Sequence, residues 1–120
     1  MMGCLSLLGC KKNQQKQLEN DAKLMATLEC EARHLKEERF KAANDIRLME
    51  DSLAKNKIAL TTLQSQEIDS IKKVYTLRTG QLADKITRTM DSLFAVNYQS
   101  SEQRQTFDLT TEKILQEICK

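Results

Sequence analysis

The sequence predicts an all-α fold, an elongated coiled-coil helix with a short C-terminal helix, on three observations. Apolar residues recur in alternating steps of three and four from Met25 to Leu77, the heptad spacing of a helix that packs against another helix. The 120 residues contain no proline and only 3 glycines, so no missing N–H forces a helix to stop. Strand signals are absent: there is no sustained β-branched alternation and no Asn-Gly or Asp-Gly hairpin turn.

The seam runs through Met25, Leu28, Ala32, Leu35, Arg39, Ala42, Ile46, Met49, Leu53, Asn56, Leu60, Leu63, Glu67, Ser70, Val74 and Leu77. All but Arg39, Asn56, Glu67 and Ser70 are apolar. At 1.5 Å per residue and about 10 Å width, such a stripe would expose on the order of 800 Å², more than a soluble monomer usually shows. A lone helix would be marginal. The expectation is helix–helix packing with a protein partner, a second copy or another chain. The isolated chain should then self-associate or fold poorly. Met25, Leu28, Leu35, Ile46, Met49, Leu53, Leu60, Leu63, Val74 and Leu77 are the predicted interface. Arg39 and Asn56 are predicted to set register, because a lone polar residue in an apolar seam selects one pairing at some loss of stability. Arg39 also admits a second reading, with its stem covering the seam and its head in water. Phe40, Leu48 and Ile58 lie off the seam and hint at a further helix touching it.

Past Glu67 the pattern changes. Ile71, Tyr75, Leu82, Ile86, Leu93 and Val96 follow a longer, eleven-residue period, with Met90 and Phe94 widening the face. Gly80 lies in this transition and is a candidate kink. Asn97 to Ser101 is the one expected break. Ser100 and Gln103 have capping-box spacing, and Phe107, Thr111, Ile114 and Ile118 form a short seam with Leu115 beside it. The sequence thus divides into a flexible apolar and basic tip at 1–17, a long heptad and hendecad helix at 18–97, and a hinge with a short amphipathic helix at 98–120. That last helix is long enough to fold back on residues 82–97 or to dock on a partner.

The tip begins MMGCLSLLGC, and Lys11, Lys12 and Lys16 follow. It is too short to cross a bilayer but can enter its interface. Cys4 and Cys10 are candidate S-acylation residues, since acyl chains beside a basic cluster hold a peripheral membrane contact. Met2-Gly3 and Leu7-Leu8-Gly9-Cys10 are near misses to a myristoylation start and a bacterial lipobox. A frayed end or packing on a partner explains the tip equally well.

The remaining chemistry is sparse. Four cysteines at 4, 10, 30 and 119 form no C-x-x-C pair, so no disulfide framework or zinc site is expected, Cys119 has no partner in view, and a reducing, cytoplasmic setting fits. The single histidine, His34, occupies a solvent-facing position without HExxH spacing. No phosphate-binding glycine loop or nucleophile elbow occurs, so no catalytic residue, metal ligand or cofactor is expected and the chain is not read as an enzyme. The net charge of +2 and the scarcity of aromatic residues argue against a nucleic-acid binder. The expected function is that of a coiled-coil subunit or scaffold of a larger intracellular assembly, cytosolic or cytoskeletal; the alternative is a membrane-peripheral tether anchored through Cys4 and Cys10.

Overall fold

A computed structural model describes the backbone of residues 7–120 and the side chains from Asn13 onward. The described chain is all-α and strand-free: α1 (Leu7–Lys55), α2 (Thr62–Val96) and α3 (Ser101–Ile118). The helix expected over 18–97 is therefore two helices, and α1 begins eleven residues earlier than the tip at 1–17 implied.

Local chemistry explains the break. At the end of α1, Lys57 adopts the left-handed conformation, with φ of 54°. The Ile58 N–H donates to the Leu53 carbonyl (2.8 Å) and the Lys57 N–H to the Ala54 carbonyl (3.1 Å). This is the Schellman pattern, which satisfies carbonyls that the helix leaves open. The usual sequence signal for it is glycine, and lysine stands there instead. Asn56, predicted to set register inside a seam, is exposed and ends the helix, its Nδ2 donating to the Ser52 carbonyl (2.9 Å). The next helix then starts on a reciprocal box. The Gln64 N–H donates to Thr61 Oγ1 (3.1 Å), and the Thr61 N–H donates to Gln64 Oε1 (2.9 Å). The expected box at Ser100 and Gln103 opens α3 in the same way. Gly80, expected as a kink, lies inside α2 without interrupting it, and a methyl group there would meet nothing within 4 Å.

The chain forms two compact units. One is Glu31–Asp84, a helical hairpin made of the second half of α1, the turn and the first half of α2. Glu38 and Arg78, forty residues apart and equally distant from Ile58, form an ion pair at 3.0 Å, so the helices run antiparallel. Both side chains are about half exposed, and such a pair adds only about 0.2–1 kcal/mol. It reports the register more than it stabilises the hairpin. Leu35 and Ile68 are the buried apolar residues of this unit, and Ala42, Ile46, Met49 and Leu53 are half-buried. The α1 part of the seam thus finds cover within the chain.

The other unit combines α1 up to Cys30 with Lys85–Lys120. Its core holds Ala22, Met25, Ala26, Leu28, Tyr98, Phe107 and Leu115. Burying each of Met25, Phe107 and Leu115 contributes about 1.5–3 kcal/mol. Two rows on α1 make this possible. Met25 and Leu28 belong to the predicted seam. Ala22, Ala26 and Cys30 form a second row at four-residue spacing, and the small side chains of Ala26 and Cys30 meet Leu115 of α3. Of the short seam expected on α3, Phe107, Thr111 and Leu115 are buried and Ile114 is half-buried, while Ile118 is 43% exposed.

Replacing Lys57 tests the turn. Lys57→Gly should raise stability by about 0.5–1 kcal/mol, because glycine occupies the left-handed region without the Cβ clash. The expected readout is a higher urea midpoint at unchanged slope; an unchanged or lower midpoint would show that Lys57 is not strained.

Candidate functional site

Phase separates the two faces of α2. The predicted seam continues along α2 through Leu63, Glu67, Ser70, Val74 and Leu77. Instead, the covered residues sit one place later at Gln64, Ile68 and Tyr75, then at Thr79, Leu82 and Ile86. One residue is about 100° around a helix, so the interruption at 56–61 has turned the inward face by roughly that angle. Leu63, Val74 and Leu77 are left 64%, 52% and 61% exposed. Of the longer period, Tyr75, Leu82, Ile86 and Leu93 mark the covered face, whereas Ile71 and Val96 are exposed. Phe40, Leu48 and Ile58, the off-seam residues, are exposed as well. The interface residues predicted from the sequence therefore divide. Met25, Leu28 and Leu35 are buried, Ile46, Met49, Leu53 and Leu60 are half-buried, and Leu63, Val74 and Leu77 face solvent. Arg39 is exposed on α1. His34 is exposed, as its heptad position implies.

In the unit that contains α3, five contacts hold its start. The Phe94 and Phe107 rings meet edge to face at 5.6 Å, and Tyr98 and Phe107 lie 4.7 Å apart. Arg104 donates from Nε to the Tyr98 carbonyl (2.9 Å) while its guanidinium lies 5.1 Å from the centre of the Phe94 ring. The Tyr98 hydroxyl donates to Asp21 Oδ2 at 2.8 Å, tying the α2–α3 link to α1 across 77 residues. Burial first, then this hydrogen bond and the Asp21 charge, push the Tyr98 phenol well above its ordinary value of 10.0.

At the far end of α3, Cys119 is disulfide-bonded to Cys30, with Cα atoms 5.5 Å apart. This corrects the expectation of unpaired cysteines. The two residues are 89 positions apart, and no local spacing announces a bridge that exists only because α3 folds back on α1. For a loop of that length the chain-entropy relation gives about 4–5 kcal/mol of stabilisation. Cys30 packs with Ala26 and Leu115 in one cluster, against which Ile114 and Cys119 lie. The buried Thr111 hydroxyl, on the same face of α3, has no hydrogen-bond partner. Cys4 lies outside the described residues, as does the side chain of Cys10, so neither candidate acylation residue is placed.

No helix among the described residues is long and apolar enough to cross a membrane. Compared with protein-family models, with curated proteins and with solved structures, the chain matches nothing.

The sequence missed the small row Ala22, Ala26 and Cys30, because alanine carries little weight in an apolar pattern dominated by leucine and isoleucine. A signal was present: small residues at four-residue spacing ending in cysteine, and a second cysteine just beyond the last helix.

Two substitutions test this packing. Thr111→Val removes a buried hydroxyl that bonds to nothing and keeps the shape, so it should stabilise the fold by about 1 kcal/mol in urea unfolding. Tyr98→Phe should weaken it by about 1.5 kcal/mol, the scale of a hydrogen bond to a charged acceptor. The native state binds the Tyr98 proton more tightly than the unfolded state. Its contribution is therefore complete below pH 10 and is lost as pH rises through the raised native value. Wild type should lose stability in alkaline urea titrations more steeply than Tyr98→Phe; parallel curves would contradict the assignment.

Proposed function

We propose that this chain is a helical scaffold subunit that acts by binding partner helices rather than by catalysis. The observation that carries the reading is that Leu63, Val74 and Leu77 on α2 face solvent at heptad positions on either side of the polar Glu67 and Ser70. Scattered exposed apolar residues are ordinary on protein surfaces. A row at this spacing is different, because it matches what a second helix needs in order to pack as a coiled coil. Phe40, Leu48 and Ile58 add exposed apolar area within the same hairpin. The hairpin also has little core of its own, with only Leu35 and Ile68 buried among its described apolar residues. A partner helix, from a second copy or another protein, supplies the missing burial. Membership in a larger intracellular assembly is the setting proposed.

Compartment bears on this reading through the disulfide. A permanent bond suits an oxidising environment, whereas cytosolic disulfides are usually transient. The cytoplasmic setting thus goes together with a Cys30–Cys119 bond that opens and closes.

Carboxylates at the row test the surface. Leu63→Asp and Leu77→Asp should remove self-association in analytical ultracentrifugation, or remove specific proteins recovered by affinity purification. Unfolding free energy should change by only about 0.5 kcal/mol, since both positions are exposed. Variants that sediment and recover partners as wild type does would overturn the proposal.

A further inference from the structure

We infer that the Cys30–Cys119 bond is a thiol–disulfide exchange site for a dithiol reductant, and that its reduction releases α3 from α1. This inference does not depend on the α2 row, which belongs to the other unit.

Three observations lead here. The first is access. Cys30 is 9% exposed inside the cluster with Ala26 and Leu115, whereas Cys119 caps the end of α3 and is only half-buried. Its N–H donates to the Leu115 carbonyl, so the residue sits where the helix has ended. Cys119 is the more exposed of the two residues, so a reductant approaches the bond from its side.

The second observation is how small and how imperfect the packed face of α3 is. Its packed face contains Phe107, Thr111, Ile114 and Leu115, and the Thr111 hydroxyl is buried at its centre with no hydrogen-bond partner. Leu109 and Ile118 face solvent at 65% and 43% exposure. An 18-residue helix is marginal on its own, so its order depends on what it packs against.

The third is how the hold is distributed. The Tyr98–Phe107 and Phe94–Phe107 ring contacts and the Arg104 bond to the Tyr98 carbonyl all lie near the start of α3. At the other end stand Leu115, Ile114 and the disulfide. Opening the bond removes the covalent hold on that end and leaves α3 joined to α2 through residues 97–100.

The chemistry balances as ordinary exchange. A thiolate of the reductant attacks Cys119 Sγ, forming a mixed disulfide, while the Cys119–Cys30 bond breaks and Cys30 leaves as a thiolate that takes a proton from water. The second thiol of the reductant loses its proton and attacks the reductant's own sulfur in the mixed disulfide. Cys119 is released as a thiolate and is protonated in turn. Two electrons pass from the dithiol to the protein, and the reductant ends as its disulfide.

The experiment uses the full chain with Cys4→Ser and Cys10→Ser, so that only this pair reacts, and dithiothreitol as the dithiol. Hydrogen exchange is followed by mass spectrometry before and after reduction under native conditions. Reduction should accelerate exchange in peptides from Ser101–Ile118 at least about tenfold and leave peptides from Glu31–Asp84 within about twofold. Oxidation with a small-molecule disulfide should restore the original protection. Cys119→Ser should show the fast pattern with or without dithiothreitol. The inference is overturned if the bond resists dithiothreitol until the protein is denatured, or if α3 stays protected after reduction. Loss of protection in all helices together overturns it as well, because the bond is then a staple of the whole fold. Should Cys119→Ser fail to fold, the reversible wild-type-pair measurement decides alone.

Discussion

Everything in the hairpin unit depends on the reversal of the chain between Asn56 and Thr61. A helix with an apolar seam is incomplete until something covers the seam, because a stripe left in water gives none of the hydrophobic gain. The reversal provides that cover from the same chain. It does so with local hydrogen bonds: Lys57 and Ile58 close the end of α1, and Thr61 and Gln64 open α2. None of these bonds contributes much alone. Their effect is geometric, since they choose which residues of α2 face α1. The shift of about one residue moves Ile68 and Tyr75 inward and leaves Leu63, Val74 and Leu77 outside.

The α3 unit is organised differently. There the helices meet across a row of small side chains, and specificity comes from a few distinct contacts near each end of α3. Aromatic rings and the Tyr98–Asp21 hydrogen bond sit at its start, and the disulfide sits at its finish. Between them lies Thr111, a threonine where a valine would fit the apolar pattern. A face that is strong at its ends and weak in its middle can separate from one end without the whole unit coming apart. That property makes the sulfur pair a place where chemistry can act on shape.

Both proposals follow from surfaces and bonds that the hairpin and the α3 unit leave available. Leu63, Val74 and Leu77 stand exposed on α2, and it is there that we propose another helix packs. A disulfide with one half-buried cysteine resists a reductant less than one whose two residues are both sealed. The functional reading is therefore of a protein that works by association, with one covalent bond able to alter its form.

Composition and periodicity alone determined the all-α class, the inward role of Met25, Leu28 and Leu35, and the start of α3 at the Ser100 box. Each of these is local: heptad spacing states which side of one helix is apolar, and a capping box satisfies its own backbone within four residues. The reversal at Lys57 escaped because its glycine signal is missing, and Asn56 read as a seam residue when it was a helix end. The T-x-x-Q box at Thr61 was in the sequence, but an unbroken heptad count ran across it. What only the tertiary structure decided was which surface covers which. The second half of α1 packs with α2 in one hairpin, Ala26 and Cys30 pack on Leu115 of α3, and Cys30 finds Cys119 across 89 residues. Spacing describes one helix at a time, whereas these pairings depend on chain reversal and on the fit of two surfaces brought together from distant positions.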